Sequence, residues 1–564
     1  MNTELLGIIA TFGLTVAIAI PLGKYIGKVY AGEHTLLDPL FNPIEKLFFK
    51  VSGIRAEQEM DWKQNLTVLL GINLLWFVLA MFILLNQAWL PWNPDGNPSM
   101  TPDLAFNTAI SFLVNCNLQH YSGETGASYL SQAFCFLFLN FVSAATGLAA
   151  LAVVFNAMKE RTTEKLGNFY VYFVKSNTRI LFPLSIVVAI LLALNGSPMN
   201  TEGKDTVVTL QGDTVQVSRG PVAAQVAIKH LGTNGGGYFG TNSAHPLENP
   251  NYFTNMLEMI VQTIIPIAMI FALGYYLKRR KLAWMIFGVM TVGFLLLVIP
   301  NVYFEMQGNP VIAKLGVDMS AGAMEGKEVR FGSAASGYWS IVTTIISTGS
   351  VNAMHDSTMP LSGMNELLAM MVNAFYGGCG VGILNFYVFI IIAVFISGLM
   401  VGRTPEFLGK KIEAKEMKIA MVIALLHPLL ILAGTALSSF VITKDPDVGW
   451  LNNPGFRGFS EMLYEYISSS ANNGSGFEGL GDNNLFWNLT TGIVLILSRF
   501  LPIIGPVAIA GILANKKYIP ESAGTLKTDT ATFGIMVFAV IIIVALLSFF
   551  PALTLGPIAE YFSL

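Results

Sequence analysis

Charge is what this 564-residue chain has least of: Asp, Glu, Lys and Arg together make up 12% of it, about half the share in soluble domains. Hydrophobic residues make up 53%, and mean hydropathy is +0.59. This excludes a soluble enzyme with one anchor and points to a polytopic membrane protein. Cysteine is nearly absent. The three present, Cys116, Cys135 and Cys379, form no CxxC or other ligand spacing, which excludes a disulfide framework or a structural zinc site. A net charge of −3 gives no reason to expect a nucleic-acid partner. Neither GxxxxGK[ST] nor DKTG occurs, so ATP binding or hydrolysis on this chain is not expected. The opening MNTELL lacks Lys and Arg, and no small-residue cleavage pattern follows its apolar run. The run reads as a retained helix with its N-terminus outside rather than a signal peptide.

What the chain has instead is apolar runs. A spanning helix needs roughly 20 apolar residues. Ten candidates lie near 5–22, 66–90, 130–156, 180–195, 255–277, 283–301, 383–402, 418–442, 485–512 and 532–556, the fourth being short unless it begins nearer Tyr172. With 23–65, 157–179, 278–282, 403–418 and 513–531 placed inside, the inner loops hold 23 of the 32 Lys and Arg, and the longer outer loops hold 8. The positive-inside rule then puts both termini outside.

Four outer loops share one pattern: an apolar stretch too short to span, then small polar residues and glycine. They are 107–125, 221–242, 338–357 and 461–480. Stacked on the polar turn, Asn117, Asn234, Gly349 and Asn472 align at spacings of 117, 115 and 123 residues, with Tyr121 matching Tyr238 and Gly123 matching Gly240. A near-constant period argues for internal repeats. The expected fold is an all-α polytopic membrane protein with ten transmembrane helices and four membrane–pore–membrane pseudo-repeats around one central ion pore. Residues 1–60 form the first helix and its inner loop. The repeats occupy 61–170, 171–281, 282–412 and 413–525, and 526–564 is the last helix.

Extended backbone at membrane depth is tolerated only inside protein or along a water-filled path. A ring of four such loops can offer carbonyls to a dehydrated cation. Gly232, Gly235–Gly237, Gly349 and Gly474 read as residues of backbone geometry. Thr233, Ser347, Thr348, Ser350 and Ser475 offer hydroxyls, and Asn117, Asn234, Asn472 and Asn473 offer braces or amide oxygens. No Asp or Glu ring occurs there. That suits a large monovalent cation better than calcium or magnesium, whose sites use carboxylates. A phosphate-cradling reading of GTNGGG would need a strand before it, and an apolar helix-like run stands there instead.

At these loops the sequence resembles the potassium-binding A subunit of the Kdp-type potassium-transporting ATPases. The resemblance rests on SGE at 122–124, GTNGGGYFGTNSAHP at 232–246, VNAMHDS at 351–357, VGRTPEFLGKKIE at 401–413 and ANNGSGFEGL at 471–480, and it spans essentially the whole chain. It implies an outward-facing potassium filter. The ligands would be Asn115, Cys116, Asn117 and Gln119 from the first loop, and Gly232, Thr233, Asn234 and Gly235 from the second. The third would give Ser347, Thr348, Gly349 and Ser350, and the fourth Ala471, Asn472, Asn473 and Gly474. Cys116 departs from the threonine expected there, but its carbonyl is unchanged. The resemblance further implies a bacterial plasma membrane, K+ as the transported ion and no nucleotide on this chain. The implied partners are a P-type ATPase B subunit, a C subunit and often a small F subunit, with potassium passing sideways to the pump subunit.

Three features lie beyond the filter. Gly377, Gly378, Gly380 and Gly382 interrupt the apolar stretch 361–402, as an intramembrane gating loop or as a close-packing face. Arg499 is the basic residue deep in a span, functional by default unless it snorkels to the inner end. Arg403 opens a basic inner loop and suits a partner contact. Glu258 reads as solvated near an outer helix end. The six histidines show no metal spacing, and His120, His230 and His355 read as braces. A stand-alone potassium channel or passive transporter of the related four-unit type would show the same filter. A membrane enzyme would need converging catalytic residues, and a secondary transporter would more often show inverted repeats; neither pattern is present.

Overall fold

The computed structural model describes residues 3–520 and 526–564. The first two residues of MNTELL, and residues 521–525 of the inner loop 513–531, lie outside the described residues. Among the described residues ten helices are long and apolar enough to cross a membrane: Thr3–Ala31, Trp62–Asn86, Ser131–Lys159, Phe169–Leu194, Tyr252–Tyr276, Arg280–Lys314, Val381–Met400, Ala414–Lys444, Leu485–Ala514 and Ala531–Ser563. These match the ten apolar runs in order. The fourth is longer than its apolar core because it starts at Phe169, where Asn168 caps it by accepting from the Tyr170 N–H.

Helix starts follow local chemistry. Asp61 and Gln64 form a reciprocal capping box at the second span, and Asn251 and Thr254 do the same at the fifth, each satisfying two otherwise orphaned N–H donors. The first span lies along the fifth. Its Gly23 faces the Ala268 carbonyl and its Gly27 faces Tyr275, the small-residue contact that lets membrane helices approach closely. Two short hairpins, Asp205–Val208 with Thr214–Val217 and Glu406–Phe407 with Lys410–Lys411, are the strands among the described residues. They depart from a purely helical expectation but lie in loops.

Burial sorts the spans. The apolar windows of the third and fifth spans are 83% buried, and those of the seventh and ninth 67% and 61%, against 17% for the first and 22% for the eighth. The four most buried spans are the ones that follow the four short helices Pro102–Leu113, Val222–Leu231, Gly332–Ile346 and Phe456–Ala471. The short helices and their loops therefore lie in the protein centre, and the remaining spans present Leu, Ile and Phe outward.

One buried ion cluster ties the fourth span to the segment between the first two spans. Arg179, in the fourth span, donates to Glu45 Oε1 and Oε2 at 2.7 and 2.6 Å, to Asn42 Oδ1 at 2.6 Å, and to Asp38. It holds the amphipathic helix Asp38–Ser52 against the bundle. Breaking a buried pair strands the other charge and costs about 3–5 kcal/mol. Arg179→Leu is therefore expected to lower the thermal unfolding midpoint in detergent by several degrees. Arg179→Lys, which cannot reproduce the fork, should restore part of the loss. A midpoint unchanged in Arg179→Leu would show that the cluster is not structural.

Candidate functional site

The four short helices end alike. After each, one residue turns left-handed: Asn115 (φ +65°), Thr233 (φ +53°), Ser347 (φ +57°) and Asn472 (φ +53°). The N–H of that residue bonds three residues back, to Phe112, His230, Thr344 and Ser469. The next N–H, from Cys116, Asn234, Thr348 and Asn473, bonds five residues back, to Ser111, Lys229, Thr343 and Ser468, at 2.8–3.0 Å. This pair of bonds is the Schellman motif, here ended by non-glycine residues, which adopt positive φ uncommonly.

The geometry corrects the stacking of Asn117, Asn234, Gly349 and Asn472. The equivalent residues are Asn115, Thr233, Ser347 and Asn472, followed two positions later by Asn117, Gly235, Gly349 and Gly474. Matching by polar type missed the register because the left-handed residue differs between loops. The first and second loops also touch beyond these turns: Gly123 abuts the Tyr238 carbonyl and Gly240 abuts Ser122.

The loops meet at close quarters. A Cβ on Gly235 would lie 2.7 Å from the Cys116 carbonyl oxygen and 2.8 Å from that of Asn473; on Gly349 it would strike the Asn473 carbonyl, and on Gly474 the Cys116 carbonyl. Gly349 (φ +86°) and Gly474 (φ +106°) also need glycine's backbone freedom. The triple glycine has a different reason from the one expected, because none of Gly235–Gly237 has positive φ. They are bare for space: beside Gly235, a Cβ on Gly236 would lie 2.7 Å from the Asn117 carbonyl oxygen and one on Gly237 2.7 Å from Glu248 Oε1.

Most polar side chains of the loops are committed to bracing. Asn115 Nδ2 donates to the Gly232 and Thr233 carbonyls at 3.0 and 2.9 Å. Asn117 donates to Asn140 in the third span at 2.8 Å. Gln119 brackets Gly237, accepting its N–H at 2.9 Å and donating to its carbonyl at 3.0 Å. Asn473 Nδ2 donates to the Thr343 carbonyl at 2.8 Å, and Asn472 Nδ2 to Ser498 Oγ at 3.1 Å. Ser143 Oγ lies 3.4 Å from Asn234 Oδ1. Ser350 is engaged at both polar groups: its hydroxyl bonds His230 at 2.8 Å and its carbonyl accepts from Trp339 at 2.6 Å. Thr348 Oγ1 is buried without a hydrogen-bond partner, and Ser347 Oγ reaches Asn373 at 3.2 Å. The Cys116 side chain is fully buried.

Below the loops, Asn115, Ser347, Ala471, Asn472, Asn373, Gly378, Gly382 and Arg499 line one cavity of about 10 Å³, room for about one water. The glycine segment interrupts the helix between Val372 and Val381. It sits against the second loop, where the Cys379 N–H donates to Thr233 Oγ1 at 2.9 Å. Gly380 abuts the Gly147 carbonyl, and Gly377 abuts Gly382. Arg499 does not snorkel: it is 3% exposed and donates to the Ser143 carbonyl at 3.0 Å. Arg403 is exposed just past the C-terminal end of the seventh span and does not line this cavity.

Other residues became legible only in three dimensions. Glu258 is fully buried, with its Oε2 3.4 Å from His230, not solvated as expected. Lys229 is buried and reaches Glu248 at 2.6 Å and Asn242 at 2.7 Å, and Asn242 Nδ2 donates to the Gly235 carbonyl at 2.6 Å. A lysine inside the short apolar helix PVAAQVAIKH was the available signal. His120 contacts Asn488 and Glu465, and the fold brings His120, Glu465 and Asp482 within 4.8 Å of one another, a grouping that no spacing in the sequence shows. Burial alone would lower the His120 pKa; Asp482 and Glu465 outweigh it and raise it to about 9.

The family model "Potassium-transporting ATPase A subunit" matches residues 9–562. A potassium-transporting ATPase potassium-binding subunit of Flavobacterium psychrophilum is 71% identical over the full length of both chains. One of Flavobacterium johnsoniae is 72% identical, also over the full length of both. One of Geobacillus kaustophilus is 47% identical over 98% of each. Among solved structures, the potassium transporter TrkH from Vibrio parahaemolyticus superposes with a TM-score of 0.50 at 13% identity, covering 89% of this chain and 98% of that one, a likeness of fold. The chain thus belongs to the potassium-transporting ATPase A-subunit family.

Proposed function

We propose that this chain is the potassium-binding and translocating subunit of an ATP-driven uptake complex in a bacterial plasma membrane, with both termini outside. The observation that carries the reading is the convergence of four matching helix ends on crowded backbone carbonyls. Potassium from outside is held there by carbonyls, the Cys116 and Asn473 oxygens among them, and the buried Thr348 hydroxyl has no hydrogen-bond partner. The units 61–170, 171–281, 282–412 and 413–525 each contribute one loop. Asn115, Asn117, Gln119, Asn234, Asn472 and Asn473 keep the carbonyls aimed, and Ser350 acts as a brace rather than a ligand.

Below the filter, the segment carrying Gly377, Gly378, Gly380 and Gly382 is the gate, and Arg499 places a fixed positive charge at its level. Asn373, Asn385 and Ser498 also line a second cavity of about 60 Å³ that continues to His427, Pro428 and Phe549. This supports a sideways path toward a partner. The partner is the ATP-hydrolysing P-type B subunit, with a C subunit and a small F subunit, and no nucleotide binds here. Arg403 contributes a partner contact on the inner face.

Three experiments test this reading. Affinity purification from native membranes should bring down an ATPase chain whose hydrolysis is stimulated by potassium and not by sodium. A chain that elutes alone yet conducts potassium in liposomes would instead be a stand-alone channel. Gly474→Ala, which drives a methyl into the Cys116 carbonyl from a left-handed backbone, should raise the potassium concentration for half-stimulation at least tenfold. Gly71→Ala, with open space at its Cβ, should leave it unchanged; equal values in the two variants would remove the filter assignment. Arg499→Gln should raise passive potassium leak severalfold while the affinity for external potassium stays near wild type. Unaltered leak and coupling would remove the barrier role.

A further inference from the structure

His120, Glu465 and Asp482 come from three separate segments: the first loop, the fourth short helix and the loop after it. Among the described residues they are the one group of three His, Cys, Asp or Glu side chains whose ligand atoms all lie within 4.8 Å of one another. His120 Nε2 is 3.2 Å from Glu465 Oε1 and 3.9 Å from Asp482 Oδ2. Ligands about 2.0–2.2 Å from a tetrahedral zinc stand at comparable spacings from one another. The imidazole is also oriented. Its Nδ1 lies 2.6 Å from Asn488 Oδ1, and Asn488 Nδ2 donates to Asp103 Oδ2 at 2.7 Å. The Nδ1 contact with Asn488 fixes the ring so that Nε2 faces the two carboxylates, the second-shell arrangement that metal-ligating histidines use. His120 and Glu465 are buried, while the Asp482 side chain is 28% exposed, so the cluster has an open side.

We propose that His120, Glu465 and Asp482 form a binding site for a divalent transition ion of the zinc class at the outer end of the pore, clamping the first filter loop to the fourth. The two carboxylates and the neutral imidazole supply three ligands, and water from the open side supplies the fourth. Binding expels the Nε2 proton to solvent. His120 is four residues from Cys116, and Glu465 is on the helix that ends at Ala471, so the clamp fixes the spacing of two loops whose carbonyls hold potassium. The inference rests on the filter reading only for its consequence; the binding itself is independent of it.

The test uses the full chain with whatever subunits co-purify, stripped with a chelator and titrated with zinc chloride by calorimetry. Wild type is expected to bind one zinc per chain at micromolar concentration or tighter. Asp482→Asn, at the partly exposed position, and His120→Gln should each weaken binding at least tenfold, and Asn488→Leu by a smaller factor. Magnesium should not compete. Zinc should also raise the thermal unfolding midpoint of wild type and not of Asp482→Asn, a readout that needs no transport. Failure of wild type to bind zinc, or equal binding in the wild type and both ligand variants, would overturn the site and leave a protonated His120 bridging two carboxylates. Zinc binding without change in the potassium response would retain the site and overturn the clamp.

Discussion

The structure depends on ending four helices inside a membrane protein without stranding their last carbonyls. These ends are buried, and an unsatisfied polar group in a low-dielectric interior costs several kcal/mol. The Schellman turn resolves this in one left-handed residue. It returns two N–H groups to the helix and releases the following carbonyls into the centre. At Asn115 and Asn472 an asparagine tolerates the conformation and its amide braces a neighbour. At Thr233 and Ser347 the hydroxyl takes a partner, Cys379 N–H and Asn373 respectively. The strain of non-glycine left-handed residues is thus held by contacts on all sides, as strained residues at functional sites generally are.

A single chain carrying four unequal loops can brace each one differently. The second loop is held by a buried Lys229–Glu248 pair acting through Asn242 on the Gly235 carbonyl. The first and second are cross-linked by the Gln119–Gly237 bracket and by the Gly235 N–H on the Cys116 carbonyl at 2.9 Å. The fourth reaches the third through Asn473 and Thr343. A buried ion pair is weak evidence for stability. Here it fixes where a carbonyl points.

The spans were legible because hydropathy over roughly 20 residues answers one physical requirement. The four loops were legible because short apolar helices followed by glycine and asparagine are unusual. The register within the loops was not, because φ is not written in residue type when Asn, Thr and Ser share the left-handed position. Nor was the purpose of Gly235–Gly237, which depends on carbonyls 119 and 238 residues away in sequence. Glu258 and the His120 cluster were hidden for the same reason: burial and convergence are set by packing between segments far apart in sequence.

On the proposed reading, the position of Arg499 constrains the route beyond the filter. Two unit charges 4 Å apart interact by about 4 kcal/mol at an effective dielectric of 20. A cation leaving the carbonyls meets the Arg499 guanidinium at the wall of a cavity with room for about one water. It cannot dilute that repulsion with a hydration shell. Straight descent is therefore the costly direction. The polar groups that accompany the cavity sideways, Asn373, Asn385 and Ser498, offer amide and hydroxyl oxygens without fixed charge. A filter that binds tightly from outside, above a positive charge and beside a neutral polar exit, favours delivery to a neighbour over conduction through the chain.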